Sequence, residues 1–260
     1  MGAVAFHDPE ETLKRIAAFL FLVCLPIQAE AVPLGELATS LKGGGYVIVF
    51  RHGATDDSQR DVYPFKFDDM SSQRQLNEQG RIVAREVGVA LRKLSIPIGT
   101  VYTSRLNRAV ETGKLIAGKE VTPVDALTDS SGGSASGMAN PEGKNAKAGR
   151  AVREIVDAAP KPGTNNLAVT HKTNVTDAFG MEFADIREGE ALVYRTNASG
   201  PAVFVRRVPA KQWITIPRRW KDTPHQKERS EALVPRPRDN SYGQRHPKQP
   251  IHRGKRAAEF

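Results

Sequence analysis

Cysteine is almost missing from this sequence. Of 260 residues only Cys24 is one, and it lies inside an apolar run. A lone thiol cannot form an intrachain disulfide, and no Cys or His cluster has metal-ligand spacing, so neither a disulfide framework nor a metal site is expected. Long hydrophobic runs are missing too. The one apolar stretch, "IAAFLFLVCLPI" at 16–27, has about a dozen residues, too few to cross a bilayer comfortably. Internal repeats are absent. Aromatic residues make up only 7% of the chain against 39% hydrophobic residues overall. That composition fits one globular domain with a sizeable core and something polar attached to it.

The polar part is at the C-terminus. The formal net charge is +9, yet residues 211–260 hold thirteen Lys or Arg against five Asp or Glu, an excess of eight. The remainder is close to neutral, so the basic character does not describe the core. After Trp213 the chain becomes rich in Pro, Arg and Lys and poor in apolar residues, a composition expected of a disordered tail. Such a tail has two readings: a contact with an anionic surface through many screened charges, or a solvated extension with no partner. No specific nucleic-acid partner is expected.

At the other end, Lys14 and Arg15 precede the apolar run and Ala29-Glu30-Ala31 follows it, the arrangement of a cleavable export signal. Cleavage after Ala31 leaves a mature chain with no cysteine and no membrane anchor, which suits a bacterial periplasm. The expected organisation is a signal at 1–31, a folded domain at 32–215 and a tail at 216–260.

Within the domain, helical and extended patterns alternate. "YVIVF" at 46–50 is apolar without alternation, which predicts a strand buried on both faces. Asn77 is a candidate N-cap for a helix over "EQGRIVAREVGVALRKL", with Ile82, Val83, Val87, Leu91 and Leu94 as its apolar stripe. "TVYTS" predicts a second strand, "RAVETGKLIAG" a helix closed by Gly118, and "VTPVDAL" a third strand. The small polar segment 129–145 predicts a long surface loop, and "AKAGRAVREIVDAA" another helix. "NLAVTHKTN" then repeats a buried strand running into a histidine, and "EALVYRT" and "AVFVRRV" predict two more strands. The expected fold class is α/β: a mostly parallel open sheet with helices on both faces, a three-layer sandwich.

In such sheets ligands gather beyond the carboxyl ends of the strands. Three strands deliver charged groups there: Arg51 and His52, then Ser104 with Arg105 and Arg108, then His171. Guanidinium groups match phosphate oxygens bidentately, helix N-termini add N–H donors, and a neutral imidazole among them can attack phosphorus. An anionic, phosphorylated ligand is therefore expected.

Three separated segments together carry a resemblance: "RHGAT" at 51–55, "SRLNRAVET" at 104–112 and "VTHKTN" at 169–174. Over roughly residues 34–213 the sequence resembles the histidine phosphatase superfamily, which includes the cofactor-dependent phosphoglycerate mutases. The resemblance implies that His52 is the nucleophile that becomes phosphohistidine. It also implies that Arg51, Arg108 and His171 hold the phosphoryl oxygens and that no cofactor or metal is needed. Relatives place a proton-donating acid after the third strand, where Asp129 and Glu142 are candidates and Asp129 is preferred by position. Gly53, Thr55, Ser104, Lys172 and Glu142 are the candidates for substrate contact. Lys172 either reaches a distal anion of the substrate or faces solvent. Arg105 reads as a solvated arginine.

Asp56, Asp57 and Ser58 stand where the mutases commonly carry an asparagine, and export also speaks against a mutase. The expected function is a phosphomonoester hydrolase acting on a small or envelope-derived phosphate ester. The alternatives are a non-catalytic phosphate- or polyanion-binding member of the same fold, and a phosphoglycerate-mutase-like phosphotransferase. Tyr63, Phe65 and Phe67 lie in the segment 61–76 that is expected to cover the pocket, facing either substrate or the sheet edge.

Overall fold

The computed structural model describes residues 32–131 and 145–216. The export signal, Glu142 and the basic tail lie outside the described residues.

Apolar residues without alternation make β1 (Tyr46–Arg51) a central strand: Val47, Ile48, Val49 and Phe50 are all fully buried. It runs parallel to β4 (Asn165–Thr170) on one side and antiparallel to β5 (Ala191–Asn197) on the other. With β2 (Ile98–Thr103), β3 (Thr122–Pro123) and β6 (Gly200–Val208) the sheet has six strands in the order β3-β2-β4-β1-β5-β6. β3, β2, β4 and β1 are mutually parallel, so their carboxyl ends leave one edge of the sheet together. This is the expected mostly parallel α/β sheet, closed on one side by an antiparallel pair.

The pleat sends alternate side chains into two cores. Ile48 and Phe50 enter one core with Leu41, Val87, Leu91 and Trp213. That core is covered by α1 (Leu34–Leu41), α2 (Glu78–Lys93), α3 (Asn107–Ala117) and α6 (Ala210–Thr215). Val47 and Val49 enter the other with Val152, Val156, Val175 and Leu192, beneath α4 (Ala146–Asp157) and α5 (Lys172–Phe179). Full burial of one such side chain, Phe50 for example, stabilises by roughly 1.5–3 kcal/mol. Helices on both faces make the three layers.

Two expectations are corrected. The stretch "VTPVDAL" yields only the two-residue β3 before a 3₁₀ turn at Asp125–Leu127. Pro123 has no N–H to donate, which confines this segment to an edge. On α2 the buried stripe is Gly80, Ala84, Val87, Gly88, Ala90 and Leu91, whereas Ile82 is 39% exposed. Apolarity pointed to isoleucine, but close helix packing selected the small residues: a β-carbon at Gly80 would run into Ala54 O. The Asn77 N-cap does form, with its side chain accepting from Gly80 N at 2.8 Å. The Asn77 amide also donates to Thr55 O at 3.0 Å, which fastens the start of α2 to the loop leaving β1.

Candidate active site

The loop leaving β1 is held by backbone and side chains from three directions. Arg51 N donates to Glu190 O, and Gly189 N donates to His52 O at 2.9 Å, so the turn before β5 straps the end of β1. His52 N donates to Thr170 O of β4. Gly53 N donates to Thr112 Oγ1 of α3 at 3.0 Å, which spends that amide on positioning the loop.

His52 is buried, and its Nδ1 lies 2.8 Å from Gly53 O. A carbonyl oxygen can only accept, so Nδ1 carries the proton and Nε2 keeps its lone pair. Burial, followed by the neighbouring His171 and the charges of Arg108 and Arg51, holds the His52 pKa well below the ordinary histidine value. The imidazole is therefore neutral at neutral pH, the form that can act as a nucleophile.

His171 ends β4 as the N-cap of α5, its ring centroid 5.1 Å from that of His52. Its Nε2 is 2.8 Å from Ser104 Oγ. Leu106 N donates to the same Oγ at 3.1 Å, and among the described residues Nε2 is the one acceptor bonded to this buried hydroxyl, so the serine hydrogen goes to Nε2 and the ring proton to Nδ1. Burial, with Arg108 and Arg51 next, also keeps His171 neutral.

Arg108 projects from the first turn of α3 and is 1% exposed. It faces two carboxylates, Asp61 at 2.8 Å and Asp129 at 3.6 Å. Arg51 donates to Ile186 O at 2.8 Å and pairs with Glu188 at 3.2 Å. Thr55 is buried and donates to the same Glu188 oxygen at 3.3 Å. Asp129 is further held by Thr173 Oγ1 at 2.8 Å, at the start of α5.

Three buried atoms in this cluster have no hydrogen-bond partner: Arg51 Nε, Arg108 Nε and His171 Nδ1. Each is an N–H donor in the protonation states just derived. Buried donors are ordinarily paired, and leaving one unpaired costs about 1–3 kcal/mol. Three on the residues that surround one free imidazole nitrogen describe a site built for an anion.

Residues 47–172 match the model of the histidine phosphatase superfamily, branch 1. The matched span contains Arg51, His52, Ser104, Arg108, Asp129 and His171, whereas Glu188 lies beyond it. No curated protein gives a sequence match. Among solved structures, the chain is similar to phosphoserine phosphatase from Entamoeba histolytica in complex with 3-phosphoglyceric acid. Identity is 16% and TM-score 0.45, covering 65% of this chain and 98% of that one. It is also similar to the protein histidine phosphatase SixA complexed with tungstate, at 18% identity and TM-score 0.42, covering 64% and 97%. The alpha-ribazole phosphatase from Shigella flexneri gives 14% identity and TM-score 0.43, covering 66% and 99%.

The sequence-derived residues are thus largely brought together: Arg51, His52, Gly53, Thr55, Ser104, Arg108, Asp129 and His171 meet at the carboxyl ends of β1, β2 and β4. Lys172 is exposed at the first position of α5. Arg105 is exposed, paired with Asp125 at 3.1 Å and lying over the Phe67 ring at 3.9 Å. Tyr63, Phe65 and Phe67 pack against one another, with Tyr63 60% exposed. Sequence reasoning missed Asp61 and Glu188, because nothing in "QRDVYP" or "IREGEA" announces that a carboxylate will meet an arginine from a distant part of the chain. Among the described residues no group of three or more His, Cys, Asp or Glu could hold a metal ion, and no helix is long and apolar enough to cross a membrane.

Proposed function

We propose that this protein is a phosphomonoester hydrolase that works through a phosphohistidine at His52. The observation that carries the reading is the free Nε2 of a neutral, buried His52 beside unpaired N–H donors on Arg51, Arg108 and His171. In the first step His52 Nε2 attacks phosphorus and the P–O bond to the alcohol breaks. The departing oxygen takes a proton, which we assign to Asp129, the candidate acid in contact with Arg108. In the second step Asp129, now a carboxylate, takes a proton from the water that attacks the phosphohistidine, inorganic phosphate leaves, and imidazole and acid are both restored. Charge spreads over three phosphoryl oxygens in both steps, and the fixed donors stabilise that spread more than the ground state.

The substrate class we infer is a small phosphate ester. The N-terminal signal pattern supports activity outside the cytoplasm, on an ester of envelope origin, and the basic tail supports contact with an anionic surface there. The test is hydrolysis of p-nitrophenyl phosphate across pH by the protein and by His52→Ala. We expect turnover by the parent and a loss of about 10³-fold or more in the variant. Equal turnover by both proteins would refute a phosphohistidine route.

A further inference from the structure

The arginines near His52 differ in how their charge is balanced. Arg51 has Glu188 and Arg108 has both Asp61 and Asp129. Elsewhere Arg81 has Glu111, Arg105 has Asp125 and Arg207 has Asp185 and Glu190. Arg74 is half-buried, and among the described residues its guanidinium has neither an ion pair nor a hydrogen bond.

Its backbone is nevertheless fixed at the site. Asp61 Oδ1 accepts from Arg74 N at 2.9 Å and from Arg108 Nη1 at 2.8 Å, so one oxygen ties the Arg74 main chain to the Arg108 head. Two residues on, Leu76 bridges to Thr55, and Asp56 N donates to Gln75 O at 3.0 Å. Arg74 therefore stands beside the loop that carries His52. Its charge pushes down the pKa values of Arg51, Arg108 and His171, which places the guanidinium within electrostatic reach of all three.

A partly desolvated cation among like charges, with no counter-ion of its own, is unfavourable until an anion joins it. An incoming phosphoryl dianion finds Arg51 already paired with Glu188 and Arg108 with Asp61. Of the described arginines whose charge acts on this cluster, Arg74 alone has no paired carboxylate.

We propose that Arg74 is a third phosphoryl-binding arginine, the one whose charge the protein leaves for the substrate to neutralise. The inference rests on the phosphatase reading above and deepens it. Arg74 is supplied by the segment covering the site, so ligand binding and the seating of that segment are coupled through Asp61.

The test uses inorganic phosphate, which has no distal group, and reads binding as well as turnover. Phosphate is titrated calorimetrically into His52→Ala, into His52→Ala with Arg74→Gln, and into His52→Ala with Arg74→Lys. Arg74→Gln should weaken phosphate binding about tenfold or more, and Arg74→Lys should restore part of it, because a point charge lacks the fork. Arg85→Gln, on the outer face of α2, should leave the affinity unchanged. In the protein with His52 intact, Arg74→Gln should lower kcat/KM for p-nitrophenyl phosphate about 10²-fold with an unaltered unfolding midpoint. Phosphate affinity within twofold of the parent in Arg74→Gln, with turnover intact, would overturn the Arg74 assignment alone. No phosphate binding and no turnover in the parent would overturn the phosphatase reading itself, and Arg74 with it.

Discussion

β1 and β4 are neighbours, both fully buried in their centres, and both run into a histidine at the same edge of the sheet. Beyond that they diverge. β1 passes through His52 into a loop and a long connecting segment before α2 begins at Glu78, whereas β4 passes through His171 directly into α5. The tertiary neighbours then give the two rings opposite faces. Gly53 O accepts from Nδ1–H of His52 and leaves Nε2 bare; Ser104 engages Nε2 of His171 and leaves Nδ1 as an unpaired donor among the described residues. On the proposed function, two similar strand ends thereby supply a nucleophile and an N–H donor to the phosphoryl group. The assignment depends on which backbone or hydroxyl group stands next to each ring, not on the strand that delivers it.

That contrast can be broken most severely at the nucleophile. His52→Ala should remove turnover at any pH, while His171→Ala should retain a phosphohistidine route and lose roughly 10²–10³-fold in kcat. Trapping the covalent phosphate by an alkaline denaturing quench, in which the P–N bond survives, checks the difference, since His171→Ala should still label and His52→Ala should not. Comparable labelling of both variants would sink the division of roles.

Next in size is the proton donor. Asp129→Asn should cost about 10²-fold on an alkyl phosphate, whose alkoxide needs a proton, and only a few-fold on p-nitrophenyl phosphate. Measuring both esters side by side checks it, and an equal loss on both would move Asp129 from acid to mere partner of Arg108.

Ser104→Ala sharpens the comparison from the other ring. Without the hydroxyl the tautomer of His171 is no longer fixed, and kcat should fall about tenfold with KM little changed. Steady-state kinetics with p-nitrophenyl phosphate checks this, and a rise in KM alone would contradict it.

The smallest effect concerns stability. Both histidines have folded pKa values held well below the ordinary 6.5. As pH falls below that value the unfolded chain takes up protons that the folded rings refuse. Stability that is full above the unfolded pKa is then lost on acidification, at up to ~1.4 kcal/mol per pH unit for each histidine. Urea unfolding between about pH 4.5 and 7 should therefore show a shallower acid limb in the double variant His52→Ala with His171→Ala. An unchanged limb would mean that the rings do not resist protonation.

Much of this was legible in the chain. The apolar runs of β1 and β4 could only be central strands, and the charged residues that follow them had to meet at one edge once the strands were parallel. The segment "SRLNRAVET" placed Arg108 on the first turn of a helix for the same reason. Illegible were the α2 face, where Gly80 and Gly88 rather than Ile82 turn inward because helix packing rewards the absence of a side chain, and the truncation of β3 at a proline.

The sequence by itself determined the layered α/β sheet and the placing of His52, Arg108 and His171 just beyond strand ends, because burial and periodicity are local signals. The tertiary structure alone decided which nitrogen of each histidine is free, which carboxylate neutralises which arginine, and that Arg74 is left without one. Apart from the contact of His52 with the adjacent Gly53, those outcomes depend on contacts across 13 to 137 residues of chain, as between Asp61 and Arg74 or Arg51 and Glu188. No window of sequence contains both partners of such long-range pairs.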